Sequence, residues 1–551
     1  QKVIAGMKLM PGFQAELLAA EPDLHQPVAF TFDARGRIWV AEAMSYPNRQ
    51  PDGKGKDRIL VFEDRDGDGV FETKKVFAEN LNLISGLEIG FGGVWVGAAP
   101  HLLFIPDRNH DDVPDGPAEV LLDGWGYQDT HETLNSFIWG PDGWLYGCQG
   151  VFTHSLVGKP GSPAEQRQKI RAGVWRYHPV RHVFEVFAQG GSNQWGIDFN
   201  SVGALFMTHC RSFHGGGGTT YVVRNGHYWN QANADYAPFI SNRGPDFAPE
   251  LKNFLLASAR YDSGEGGAGK PGTTAVYGGH SHVGTMIYQG DNWPEIYRDH
   301  LFTLNLHGHQ INHQRNERIG AGYETFHGGY DLMFAPDATF MGVDLQYGPD
   351  GAVYVIDWSD TQHCHNPRDE IWDRTNGRLY RIAWTDGFKP AKVNLAAETD
   401  TALAALHTHR NEWFVRTARR MLQERAASRP LEAAALQALR TQATSLAAGV
   451  PGQLRALWTL HATGNLDATL LAQTLAHPAD VVRAWAVQLG TERPQKPEVS
   501  AATLTHLAAN DASAAVRLAV AAAAPMLPAA DRWPVIAALA GHGEDAADRY
   551  L

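Results

Sequence analysis

Cysteine is scarce: three in 551 residues, Cys148, Cys210 and Cys364, which leaves no disulfide framework. None stands in a CxxC pair, so this chain carries neither a zinc knuckle nor a covalent haem attachment. Each reads as a small buried hydrophobe. Long apolar runs are missing too; without about 18 such residues in a row, nothing reads as a membrane span. Positive charge is the minority sign. The 47 Lys and Arg stand against 60 Asp and Glu, a formal net charge of −13 that speaks against a nucleic-acid partner. There is no GxSxG elbow, no phosphate-cradling glycine loop and no dinucleotide fingerprint. The sequence opens at Gln1 without a leader, which reads as a processed start and makes a periplasmic or secreted location the expectation.

What is abundant is glycine, 57 residues, together with aromatic side chains between Gly, Pro and Asp turns. Residues 129–147 (DTHETLNSFIWGPDGWLYG) set the pattern. Phe137, Trp139, Trp144 and Tyr146 flank Gly140-Pro141-Asp142-Gly143, where Pro presets φ and Gly takes the left-handed position of a hairpin turn. The signal returns at residues 347–354 and, more loosely, at 32–39, 89–96 and 199–206. Hairpins repeating roughly every 50 residues indicate a radial array of four-stranded blades. Five signals, with room for a sixth near 250–310, predict a mainly β six-bladed propeller over residues 1–390. The Gly-rich stretch 261–273 reads as a surface loop. From Asn394 the composition switches to Ala and Leu. The pairs Val415-Arg416, Val482-Arg483 and Val516-Arg517 recur as in stacked helix pairs, which predicts an all-α HEAT-like repeat domain over residues 391–551.

Two groups of residues could carry chemistry. Asp64, Asp66 and Asp68, with Glu72, place carboxylates at alternate positions around Gly67 and Gly69, a pattern that converges oxygens on calcium. Lys75 stands where a helix–loop–helix site needs its bidentate Glu, so this is not one. Asp107, Asn109 and Asp111 repeat the pattern in the next blade; an acidic turn without an ion is the alternative for both. The 25 histidines cluster: His209 and His214 around Arg211, His280 and His282, then His307, His309 and His313, and His363 and His365 after Asp357. Alternating residues of a strand share a face, and such a face could hold a divalent transition metal or hydrogen-bond a polar ligand. Comparable positions in successive blades favour one pocket at the mouth of the propeller axis. A sugar would suit it, with Trp195, Trp229 and Trp358 available to stack.

Through residues 131–147, the segment Gly191-Ser192-Asn193-Gln194-Trp195-Gly196, and residues 306–313 and 331–358, the chain resembles the glucose/sorbosone dehydrogenase superfamily. It is most similar to a branch of membrane-bound dehydrogenases from planctomycetes and verrucomicrobia. There a propeller precedes HEAT-like repeats and often a c-type cytochrome. The resemblance covers essentially the whole chain. It implies that His131 takes the proton of a sugar hydroxyl while hydride passes to pyrroloquinoline quinone (PQQ). Arg211 and Asp357 are further catalytic candidates. Asn193 and Gln194 match the family's amide segment near the quinone, although Ser192 stands where a basic residue is expected. His307, His309 and His313 stand where the family holds the quinone carboxylates with cations, and with His280 they complete the cofactor-binding candidates. With no CxxCH here, a cytochrome acceptor would be a downstream domain or a separate protein. Three readings follow. The first is a periplasmic quinoprotein-type oxidoreductase acting on a sugar or polyol. The second is a metal-dependent carbohydrate lyase or dehydratase in which His209, His214, His363, His365 and Asp357 hold a divalent ion. The third is a non-catalytic glycan- or protein-binding propeller with the helices as a docking arm.

Overall fold

The hairpin turns set the sheets. Strands Asn135–Trp139 and Leu145–Gln149 pair antiparallel, and the turn between them closes through Gly140 N–H to the Trp144 carbonyl at 2.8 Å. Gly143 sits there at φ 84°, a conformation its lack of Cβ permits. The same turn joins Gly342–Tyr347 to Val353–Asp357, with Gly351 at φ 74°. In both, the turn Asp accepts a hydrogen bond from a Tyr four residues on: Tyr146 to Asp142 at 2.7 Å and Tyr354 to Asp350 at 2.8 Å. The buried Arg176 completes the first of these with an ion pair to Asp142 at 2.8 Å.

The computed structural model describes residues 2–209, 219–230, 282–306, 308–328, 330–362, 371–494 and 496–551. Strands Pro27–Phe32, Ile84–Ile89, Asn135–Trp139, Gln194–Phe199, His282–Ile287 and Gly342–Tyr347 pack side by side in that order, and the last returns to the first. The ring is closed where an early and a late strand meet in one sheet, Phe13–Ala19 pairing with Arg378–Trp384. Among the described residues, four of these innermost strands lead separate four- or five-stranded meanders. The other two, Gln194–Phe199 and His282–Ile287, pair directly through Trp195 and Val283 and merge their strands into one nine-stranded sheet. Four separate blades thus stand where six were expected, because two neighbouring inner strands hydrogen-bond instead of only packing.

After Trp384 the chain turns helical. Among the described residues, nine α-helices run between Asp400 and Leu539, and buried apolar faces hold them together. The Val-Arg pairs repeat an interaction: Arg483 reaches Asp511 and Arg517 reaches Asp545, each 28 residues ahead, while Val482 and Val516 are buried. Arg416 breaks the pattern and enters the propeller, pairing with Asp198 at 2.8 Å. The helices are not a free arm. Gln423 donates to the Gly143 carbonyl at 2.8 Å, Glu424 accepts from Phe91 N–H at 2.9 Å, and Trp485 donates to the Val202 carbonyl at 2.7 Å. Asn411 donates to the Gly348 carbonyl at 3.0 Å. Each partner lies in a turn that follows an innermost strand, so the helices cover the end of the ring where those strands finish. Burying Trp458 and Trp485 against Gly203 contributes about 1.5–3 kcal/mol per side chain. The end where the innermost strands begin carries His131.

Candidate functional site

At that end a short turn, Thr130–Glu132, precedes the strand Asn135–Trp139 and carries His131. The Asp129 carboxylate lies against His131 Nδ1. A carboxylate at Nδ1 fixes the tautomer with the proton there, which leaves the lone pair on Nε2. Across the gap, Asn193 directly precedes the next inner strand at φ 47°. Its Oδ1 accepts from Val151 N–H at 3.0 Å, which turns its amide Nδ2 toward His131 Nε2 at 3.3 Å. The loops are drawn together because Gly150 bonds the Glu132 carbonyl at 2.8 Å; a Cβ there would meet Glu132 Cβ at 2.3 Å. Glu132 is buried, its Oε2 has no hydrogen-bond partner, and burial pushes its carboxyl well above the usual range, with the Asp129 charge adding to the shift. The dyad is oriented, with Nε2 turned to the Asn193 amide. That arrangement can take a proton from a hydroxyl.

The structure places the other candidates unevenly. Gln194 is buried, its amide donates to the Gly190 carbonyl at 3.2 Å, and its Oε1 has no partner. His209 is corrected: Nδ1 accepts from Ser192 N–H at 3.1 Å and Nε2 meets Thr220 Oγ1 at 2.9 Å. Both ring nitrogens are used and burial pushes it down to about 4, so no lone pair is left for a metal. His313 is corrected as a cofactor contact. It is buried inside the sheet, stacked on Phe302 at 4.9 Å with Nε2 2.8 Å from His300 Nδ1. His309 lies at the same end but is buried, with Nδ1 on the Phe340 carbonyl. Asp357 is corrected as a catalytic or metal group: Oδ1 accepts from Met341 and Ser359 N–H, each at 2.8 Å, and Oδ2 from the Tyr380 hydroxyl at 3.3 Å. Burial pushes it up to about 7. Trp195 is core. Arg211, His214, His280, His307, His363 and His365, the cysteines at 210 and 364, and the stretch 261–273 lie outside the described residues, as does the Trp229 side chain.

Of the acidic turns, the first converges. Asp64, Asp66 and Asp68 bring carboxylate oxygens within 4.8 Å of one another, the one such group of three His, Cys, Asp or Glu among the described residues. Glu72 instead caps the loop, accepting from Arg65 N–H at 3.1 Å. In the second turn, Asp107 and Asn109 each accept the Asp111 N–H at 3.2 Å. A divalent metal held by the mouth histidines therefore lacks a ligand set among the described residues.

The family profile for a domain of unknown function, DUF7133, matches residues 1–386. The chain belongs to that family. No curated protein matches it. Among solved structures it is similar to a Thermus thermophilus protein assigned as a glucose dehydrogenase, at 16% identity and a TM-score of 0.41, covering 67% of this chain and 99% of that one. It is also similar to the PQQ domain of a pyranose dehydrogenase from Coprinopsis cinerea (12% identity, TM-score 0.40, 68% and 97% covered). A PQQ-bound aldose sugar dehydrogenase from Streptomyces coelicolor matches at 12% identity and TM-score 0.37, with 68% and 99% covered. At such TM-scores the likeness decides nothing about the site.

Sequence reading missed Asp129 and Glu132. The Asp-x-His spacing was a usable signal for the first; nothing in the sequence marks a carboxyl as buried and unpartnered. It also missed a second side of the mouth, where the last sheet meets the first. There Arg374 binds Gln26 Oε1 at 2.9 Å and the Tyr46 carbonyl at 2.5 Å, and the rings of Tyr46, Trp358 and Trp372 pack edge to face.

Proposed function

We propose that this protein is a quinoprotein-type oxidoreductase in which His131, oriented by Asp129, takes the proton of a sugar or polyol hydroxyl. The observation that carries the reading is the dyad itself: a carboxylate on one ring nitrogen, and the other turned to a weak, displaceable amide contact at 3.3 Å. A substrate hydroxyl would replace the Asn193 amide at Nε2, and Asn193 would then donate to the substrate oxygen. Sealing of the far end by the helices supports a single mouth for substrate. The described residues fit PQQ in kind. Unpartnered donors at Trp358 and Ser359 suit its carboxylates, and the Asn193 and Gln194 amides suit its quinone side. When bound, that group would accept the hydride. Calcium at Asp64, Asp66 and Asp68, HEAT-like stacking of the helices, two merged blades completing a ring of six, a periplasmic or secreted location and a cytochrome acceptor belong to the same proposal. The test is a titration of the purified protein with PQQ and calcium, read by absorbance, followed by oxidation of aldoses with an artificial acceptor. Saturable quinone binding with turnover lost in His131→Ala is expected; absence of quinone binding overturns the reading.

A further inference from the structure

Aromatic side chains are almost all covered in this protein. Among the described residues three are exposed: Tyr127 at 41%, Phe152 at 42% and Trp533 at 70%. Trp533 lies on the helix Ala529–Leu539, whereas the other two lie on the loops that build the His131 dyad. Tyr127 stands two residues before Asp129. Phe152 follows Gly150 and Val151, whose N–H groups hold the Glu132 carbonyl at 2.8 Å and Asn193 Oδ1 at 3.0 Å. The two loops are bonded to each other as well. Gly126 N–H donates to Ser155 Oγ at 2.8 Å, and His154 N–H to Gln128 Oε1 at 2.9 Å. The two rings therefore come from adjoining loops, each within a few residues of the base or of a group that holds it.

Neither ring sits on a loose segment. Val151 and Thr153, on either side of Phe152, are buried, and the Thr153 hydroxyl donates to the Gly150 carbonyl at 2.9 Å. A fixed turn thus presents the phenyl between two inward neighbours. The Arg49 guanidinium lies 5.9 Å from the centroid of the Tyr127 ring. By contrast, Trp195 and Trp358, the indoles expected to stack on a sugar, are each 7% exposed and offer it no face. A single exposed apolar residue is ordinary, but two aromatic rings on bonded loops beside a base make a contact surface for a ligand.

We propose that Tyr127 and Phe152 form a platform for the ring face of a pyranose, so that the site selects cyclic sugars over open-chain polyols. One face of a pyranose carries C–H groups that lie flat on the negative face of an aromatic ring, while the hydroxyls at its edge stay free for hydrogen bonds. An alditol has no fixed face and must give up chain freedom to imitate one. The proposal narrows the substrate class of the function proposed above and rests on that reading for turnover alone, because binding to the rings does not need the base.

The experiment is isothermal titration of the full chain with matched pairs: glucose and sorbitol, galactose and galactitol, xylose and xylitol. It compares the native protein with Tyr127→Ala/Phe152→Ala, Phe152→Trp, His131→Ala and Trp533→Ala. At least one pyranose is expected to bind about ten-fold or more tighter than its alditol. The double variant should lose that preference with its thermal midpoint unchanged, and where turnover is measurable it should raise KM and keep kcat. Phe152→Trp, which retains an aromatic face, and Trp533→Ala, which is remote, should keep the preference. His131→Ala should keep it too while turnover disappears. If PQQ does not bind and nothing turns over, yet the preference follows the two rings, the oxidoreductase reading fails and the platform stands. No sugar binding, equal affinity within every pair, a preference that survives the double variant, or one lost equally in Trp533→Ala overturns the proposal.

Discussion

Asp129 and Asn193 hold His131 from opposite sides, the carboxylate at Nδ1 and the amide 3.3 Å from Nε2. This arrangement needs both partners, and they come from different ring positions.

Asp129→Asn should therefore lower kcat by about 10²–10⁴-fold, because the ring loses its fixed tautomer, while KM for the sugar changes little. Steady-state oxidation with an artificial acceptor measures both. A kcat within a factor of a few of native would show that His131 works without its carboxylate.

The pH dependence of stability can be traced to Asp357, which burial lifts from 3.8 to about 7. A raised folded value means that the native chain keeps this proton while the unfolded chain loses it. Its contribution is full below about pH 4 and falls as pH rises toward 7. Asp357→Asn removes that fall, so its stability relative to native should climb by at most about 1.4 kcal/mol per pH unit across this window. Urea melts at successive pH values give the slope; a constant difference would mean the carboxyl is ionised in the fold.

Gly203 marks the seal between helices and propeller. It sits at φ 76°, and a Cβ there would meet Trp485 at 2.5 Å and Trp458 at 2.6 Å. Gly203→Ala should cost about 1–3 kcal/mol by strain and overpacking. Thermal unfolding reads this directly, and an unchanged midpoint would show that the two indoles can move aside.

Arg416 is the one Val-Arg arginine that leaves the helices, to pair with the buried Asp198. Arg416→Met leaves that carboxylate without its cation beside a cavity of about 120 Å³ also lined by Glu88 and Asp344. A loss of about 3–5 kcal/mol is expected. The double variant with Asp198→Asn should recover much of it, and failure to recover would place the cost elsewhere.

Calcium should raise the unfolding midpoint through Asp64, Asp66 and Asp68, whose oxygens lie within 4.8 Å of one another. At a hundred-fold excess over Kd, linkage gives about 2.7 kcal/mol. In Asp66→Asn the calcium-dependent shift should shrink; an equal shift would locate the ion at another site.

The recurrent hairpins, the switch to helices after the last strand, His131 ahead of a strand and the convergent first acidic turn were legible from local chemistry. Turn residues, aromatic strands and Ala-Leu runs act over a few residues, and their meaning survives without neighbours. The histidine groups were not legible in this way. His309 and His313 alternate along one strand and His209 ends another, as pocket residues would, yet the sheet turns His209 onto Ser192 and Thr220 and His313 onto Phe302. Which face of a strand meets the axis and which meets the next sheet is set by register and packing, not by spacing. The tertiary structure alone decided that the helices cap the ring instead of projecting from it, and that Asp129 and Asn193 meet at His131. Each depends on contacts between residues tens to hundreds of positions apart, and no local propensity encodes them.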